Sequence, residues 1–200
     1  MDVCIKKNLI VTCSLDRSIR IWNYDTKKLE INKSFSNEEC HAVAFHPSGF
    51  HIAVALPDKI FLMNVFQDDL AHFKSISLKQ CQELQFANGG HILAAVCKSQ
   101  VNVFNFWTGE QPEKLQFGEH SNDVNCVHWY DDDSGYVTAS MDGNVFCLRN
   151  KNKEDSFYEK NVHFRSVVRV PDINSLYCVG GSTLYETKDA KVQERLDVGQ

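Results

Sequence analysis

The stretch Leu9-Ile10-Val11-Thr12-Cys13-Ser14-Leu15-Asp16-Arg17-Ser18-Ile19-Arg20-Ile21-Trp22-Asn23-Tyr24 decides the fold. Six apolar or small residues lead into the polar turn Leu15-Asp16-Arg17. A second run then carries Ile19, Ile21 and an aromatic, Trp22. The pattern predicts two antiparallel strands joined by a short hairpin. The same device returns at Thr138-Ala139-Ser140-Met141-Asp142, followed by Gly143-Asn144-Val145-Phe146.

Working outward, the first inward residue after each hairpin is Ile19, then Ile60, Val101, Val145 and Leu184, at intervals of 41, 41, 44 and 39 residues. Upstream of the later hairpins sits a strand ending in turn chemistry: VAFHPSG at 43–49, LQFANGG at 84–90, VHWYDDDSG at 127–135 and VVRVPDIN at 167–174. A period of about 40 to 45 residues with four strands per unit is a propeller-blade pattern, not a helical solenoid. Five units are expected, near residues 1–37, 38–79, 80–119, 120–161 and 162–200, leaving little room for helix. The Trp22 position reads Met63, Phe104, Leu148 and Thr187 in turn. In blade one the strands are expected at Val3 to Ile5, Asn8 to Ser14, Ser18 to Tyr24 and Leu29 to Phe35, and in blade three the outer strand at Lys114 to Phe117.

Composition fits one all-β domain. Two hundred residues bury about 70 per cent of the unfolded chain's surface. A net charge of −5, with Lys and Arg scattered in pairs such as Lys6-Lys7 and Lys27-Lys28, argues against a nucleic-acid surface. No apolar run approaches the roughly 18–20 residues of a membrane span, and no signal-peptide core is expected at the N-terminus. The eight Cys are expected to be reduced and to serve as small apolar packing residues in strands.

Thr12-x-Ser14-x-Asp16, with Trp22 six residues past the Asp, resembles the second half of a WD repeat. WD repeats commonly link a His before the first strand, a Ser or Thr in the second, an Asp in the hairpin turn and a Trp in the third. The resemblance maps His120, Ser140 and Asp142 onto blade four, with Leu148 in the Trp place, and Ser14, Asp16 and Trp22 onto blade one. A buried Asp needs donors, because an unpaired charge in an apolar setting is costly. These residues are therefore expected to hold turns.

Other constellations fail on spacing. In Asp131, Asp133, Gly135 and Asp142 the Gly falls one position early for a calcium loop, and the twelfth residue is Asp where that loop has Glu. Cys126-Val127-His128 and Cys40-His41 lack the ligand spacing and second pair of a zinc site. No phosphate-cradling loop or nucleophile elbow occurs. The expectation is no catalytic residue, no cofactor and no metal. Exposed aromatics are the better lead: Phe106 and Trp107 at a strand end, and Phe157 and Tyr158 after a polar loop, are candidates for a partner surface.

The runs TCSLDRSIRIWNY, FHPSGFHIAVALPDKIFLMN and FANGGHILAAV closely resemble the second propeller of the cilia- and flagella-associated protein 57 family. The similarity covers nearly the whole chain and thins after Asp155. It implies a non-catalytic scaffold of motile-cilium axonemes, with two propellers and a long coiled coil. Its partners would be the doublet microtubule, the inner dynein arm and the regulatory complex. The alternative is a general cytosolic WD-repeat adaptor for complex assembly, which the bare fold permits equally.

Five blades make an incomplete ring. If each outer face hides several hundred Å², its exposure forfeits on the order of 10 kcal/mol at about 25 cal/mol per Å², an upper bound. A whole domain is stable by only about 5–15 kcal/mol. Further blades, from a continuation of the chain or from a partner, are thus expected to cover those faces.

Overall fold

The computed structural model describes residues 1–35, 38–111, 120–149, 152–170, 175–188 and 191–199. Blade one is β1 (Asp2–Cys4), β2 (Leu9–Cys13), β3 (Ser18–Asn23) and β4 (Lys28–Ser34). Blade two is β5 (Ala42–Phe45), β6 (His51–Ala55), β7 (Lys59–Val65) and β8 (Leu70–Ser77). Blade three shows β9 (Cys81–Phe86), β10 (Ile92–Cys97) and β11 (Gln100–Asn105); its expected outer strand at Lys114 to Phe117 lies outside the described residues. Blade four is β12 (Val124–Trp129), β13 (Gly135–Ser140), β14 (Asn144–Arg149) and β15 (Asn152–Tyr158). Blade five is β16 (Phe164–Val170), β17 (Ser175–Gly180), β18 (Thr183–Lys188) and β19 (Lys191–Asp197).

Each sheet is a meander in which strands pair in chain order. Short turns permit nothing else, because a parallel neighbour would need a long crossover. This is an all-β propeller architecture. The short strand of blade one ends at Cys4, earlier than the expected Ile5. The residues Ile5–Lys7 instead form a 3-10 turn, closed by Asn8 in the left-handed region at φ 56°. Asn tolerates that conformation better than most residues.

The chain forms two compact units, residues 1–95 with 104–111 and residues 96–103 with 112–200. In the first, Val11, Ile19, Ile21 and Ile31 of blade one pack on Val43, Phe45, Ile52, Val54 and Met63 of blade two. In the second, Val137, Ala139, Val145 and Cys147 of blade four pack on Phe164, Val167, Leu176, Cys178 and Tyr185 of blade five. The two cores use equivalent strand positions, since period-2 alternation sends every second residue to the same face. No two of the eight Cys are bonded to each other, and five are buried. Burial pushes the Cys40 and Cys178 thiols up to about 12.

One irregularity repeats. The pairing of third and fourth strands slips at Ile21/Trp22, at Leu62/Met63, at Cys147/Leu148 and at Glu186/Thr187. These are the same place in four blades, immediately before or at the Trp position. An extra residue there bends the outer strand and tightens its right-handed twist.

Candidate functional site

In blade four the β13–β14 turn and the segment before β12 converge on a buried polar network. The His120 Nδ1–H donates to Asp142 Oδ2 at 3.0 Å, and the Thr138 hydroxyl donates to His120 Nε2 at 2.8 Å. The ring stacks on Phe146 with centroids 4.3 Å apart. Asp142 also accepts the backbone N–H of Ser121 at 2.9 Å and of Asn144 at 2.8 Å. Ser140 lies in the same network but does another job. Its hydroxyl donates to the Asp123 carbonyl at 2.9 Å and accepts the Asp142 N–H at 3.2 Å. Burial pushes the Asp142 carboxyl up, but the Asn144 and Ser121 N–H groups and the His120 ring outweigh it, so the group sits below its ordinary value.

Blade one holds the complementary half. The Trp22 indole N–H donates to Thr12 Oγ1 at 3.2 Å, and Ser14 Oγ accepts the Asp16 N–H at 3.2 Å, the distance found in blade four. Asp16 accepts from the Ser18 hydroxyl and N–H and pairs with Arg20 at 3.0 Å. The Ser18 hydroxyl, then Arg20, hold its carboxyl at about 2. Thr12 and Thr138 were not singled out from the sequence as network members, although both stand in the quoted motif. Thr and Ser two residues apart share a strand face, so only the register shows which hydroxyl reaches the ring. With the buried ring nitrogen left without its donor, Thr138→Val is expected to cost about 1–2 kcal/mol, read from the urea midpoint.

The four aromatics separate into two kinds, which corrects the expectation that all four lie at the surface. Phe106 is fully buried, while Trp107 is 60% exposed. Phe157 is buried against Phe164 and Tyr185, at 5.6 and 6.2 Å, while Tyr158 is 59% exposed. Phe157 and Tyr158 are neighbours on β15 and so point to opposite sides, whereas Phe106 and Trp107 lie in the turn after β11, which sends one ring inward and the other into water.

Phe106 centres a cluster of rings. His46, His51, Phe86, Phe73 and Trp107 stand 4.9, 5.3, 5.4, 5.9 and 4.7 Å from it. The His46 Nδ1 accepts the Ser48 N–H at 3.1 Å, which fixes the tautomer. A Cβ on Gly90 would stand 2.3 Å from His46 Nε2, so the glycine at φ +76° is what lets the turn close over the ring. Burial, then the neighbouring His51, depress the His46 pKa below 6.5. The folded state therefore binds this proton more weakly than the unfolded chain does. Its stabilising contribution is complete above pH about 6.5 and falls as the pH drops through the depressed value. Denaturation midpoints from pH 7.5 to 5 should show that loss, and His46→Phe should flatten it.

Among the described residues no three His, Cys, Asp or Glu side chains are grouped to hold a metal ion. No helix of the described residues is long and apolar enough to cross a membrane.

The fold and the Thr–Ser–Asp turns define a WD-repeat protein. The family model described as WD domain, G-beta repeat, matches residues 1–23 and 112–147, the parts of the chain that carry blades one and four. Within that class the chain is related to the cilia- and flagella-associated protein 57 proteins. It is 52% identical to cilia- and flagella-associated protein 57 A of Tetrahymena thermophila over 149 residues, 74% of this chain and 11% of that protein. It is 39% identical to cilia- and flagella-associated protein 57 of Mus musculus over 195 residues, 96% of this chain and 15% of that protein. A more distant likeness, 23% over 140 residues, is to the 77 kDa echinoderm microtubule-associated protein of Strongylocentrotus purpuratus, covering 68% of this chain and 20% of that protein. The chain thus spans about a seventh or less of the length of the first two relatives.

Proposed function

We propose that the chain is a non-catalytic structural scaffold of cilia and flagella, part of the axoneme, where it helps dock or position inner dynein arms on doublet microtubules. The observation that carries this reading is the 39% identity to the mouse cilia- and flagella-associated protein, which runs through 96% of the chain. The blades agree with it chemically. Their most buried polar groups are spent on holding turns, as in the His120–Thr138–Asp142 network, and leave exposed strand faces and loop rims for contact. The likeness to a microtubule-associated protein supports a cytoskeletal setting.

The same reading places further blades against the outer faces of blades one and five. Val137 and Val145 of blade four are fully buried, whereas on blade five Val168 and Leu196 are exposed at 41% and 48%. On blade one Trp22 and Leu29 are exposed at 36% and 43%. A blade from a continuation of the chain or from a partner would cover them as blade five covers blade four.

Fluorescent tagging in a ciliated cell tests the scaffold. Axonemal signal that survives detergent extraction, with loss of inner-arm dynein on depletion, is the expected result. A diffuse cytosolic signal, with cilia unaffected by depletion, would leave the general adaptor reading in its place.

A further inference from the structure

Asn88-Gly89 is the one Asn-Gly pair in the sequence. It stands at the tip of the β9–β10 turn, within the first compact unit, and both residues are exposed. The Gly90 N–H donates to the Ala87 carbonyl at 2.9 Å and the Ala87 N–H to the Ile92 carbonyl at 3.0 Å, so a closed turn presents the pair. Asn88 also lines an open hollow of about 320 Å³, together with Lys6, His46 and Gln85, which brings water to its side chain.

This pairing has a reactivity of its own. Attack of the Gly89 nitrogen on the Asn88 side-chain carbonyl carbon closes a cyclic imide and expels the side-chain NH₂ as ammonia. Glycine carries no Cβ to crowd that closure. Water then opens the imide at either carbonyl. One opening leaves aspartate at position 88. The other leaves isoaspartate, whose main chain runs through the side-chain carbon and is longer by a methylene.

Asp142-Gly143 has the same ring chemistry, with water as the leaving group, and the fold shields it. Its side chain is 4% exposed and accepts from the His120 ring and from the Ser121 and Asn144 N–H groups. The Gly143 N–H donates to the Ser140 carbonyl at 3.4 Å. Despite burial, those donors hold the carboxyl below its ordinary value, so at neutral pH it is a carboxylate, a poor target for attack.

We propose that Asn88-Gly89 is a site of spontaneous deamidation in the folded protein, and that its isoaspartate product unseats the turn above His46. That turn has no slack, because a Cβ on Gly90 would stand 2.3 Å from His46 Nε2. A methylene added between Ala87 and Gly90 moves Gly90 off its seat. His46 stands 4.9 Å from Phe106, so the disturbance reaches the aromatic cluster. The new carboxyl is the group that isoaspartyl methyltransferases esterify, taking the methyl from S-adenosylmethionine, so the altered site is a substrate for that class of enzyme. The inference goes beyond the scaffold reading and does not depend on it.

Incubating the folded full chain in mildly alkaline buffer, then mapping its peptides by mass spectrometry, tests the site. Ammonia release is expected, with the mass change of NH₂ replaced by OH at Asn88 and no isoaspartate at Asp142. Methyl transfer from labelled S-adenosylmethionine by a purified isoaspartyl methyltransferase should rise in step. Asn88→Gln and Gly89→Ala, both at exposed positions, should each suppress that transfer. The isoaspartate fraction should unfold at lower urea than fresh protein, whereas fresh Asn88→Asp, which adds the charge without the methylene, should not. A folded chain with no product at Asn88, over a period in which the urea-unfolded chain converts, would overturn the site. Undiminished methyl transfer in Asn88→Gln, or isoaspartate forming equally at Asp142, would do the same. An isoaspartate fraction as stable as Asn88→Asp would overturn the link to the turn above His46.

Discussion

Cutting Phe106 back to alanine should cost about 3–5 kcal/mol of folding stability, the range for deleting a fully buried aromatic ring. The ring contributes its transfer from water and also holds open a space that five other rings line, so the cavity left behind would collapse only in part. His46 and His51 would lose their tilted ring contacts with it and gain a void, and the Gly89-Gly90 turn over His46 would lose its support. Guanidinium unfolding followed by Trp fluorescence reads the change. Trp107→Ala is the control one residue along: the ring is mostly in water, and the expected change is within about 1 kcal/mol. Equal losses in the two variants would contradict the division of this pair into a core ring and a surface ring.

The second large effect is at Asp142. Its side chain is only 4% exposed and accepts from the His120 ring and two backbone N–H groups. Asp142→Ala removes the acceptor of the His120 ring and the Asn144 N–H, which are at least part-buried, and of the Ser121 N–H, which is on an exposed residue. A loss of about 2–3 kcal/mol is expected, since a buried unsatisfied group costs about 1–3 kcal/mol. Asp142→Asn should lose less, because one amide oxygen can still accept while its NH₂ faces a donor. The native carboxyl titrates below its ordinary value of 3.8. Its contribution is therefore complete above that pH and falls as acid takes the pH through the depressed value. Wild type and Asp142→Asn should converge in stability toward pH 2. Asp16, its counterpart in blade one, is partly exposed and pairs with Arg20 in solvent, so Asp16→Ala should lose much less. Similar losses at the two turns would refute the view that burial sets the size of the effect.

The period was legible because burial at one residue in two is a strict demand. Ile19, Ile60, Val101 and Val145 are all fully buried, each as the first inward residue of its strand. Leu184, the fifth in the series, is only half-buried. It lies on the blade-five face where Val168 is exposed, the face that the proposed further blade would cover. The bulges at Ile21/Trp22 and its counterparts were not legible. No Gly or other special residue marks them, and a slip in pairing follows from how two strands twist together.

The site was legible by half. Asp142 and His120 carry chemical types that demand partners, and the WD resemblance brought them together. The partner hydroxyl could not be chosen, because Thr138 and Ser140 occupy one face of β13 and differ only in where the chain before β12 crosses. Likewise Phe106 and Trp107 look alike as neighbouring rings. Which of them turns inward depends on the exit angle of the strand, which the bond from Phe106 N–H to the His91 carbonyl at 2.9 Å sets.

The recurring slip before the outer strand has a consequence for how such chains coexist at high concentration. Outer strands present unpaired backbone groups, an invitation to stray pairing between molecules. A kink at the same height in β4, β8, β15 and β19 bends each of these rims away from the straight line that a second rim would need to match. Lys28, Glu30 and Lys33 along β4 add mismatched charge to that curvature. Crowding many copies side by side should then be tolerated without fibril growth, and straightening the kink, not loosening the interior, would be the change that lets one rim zip onto another.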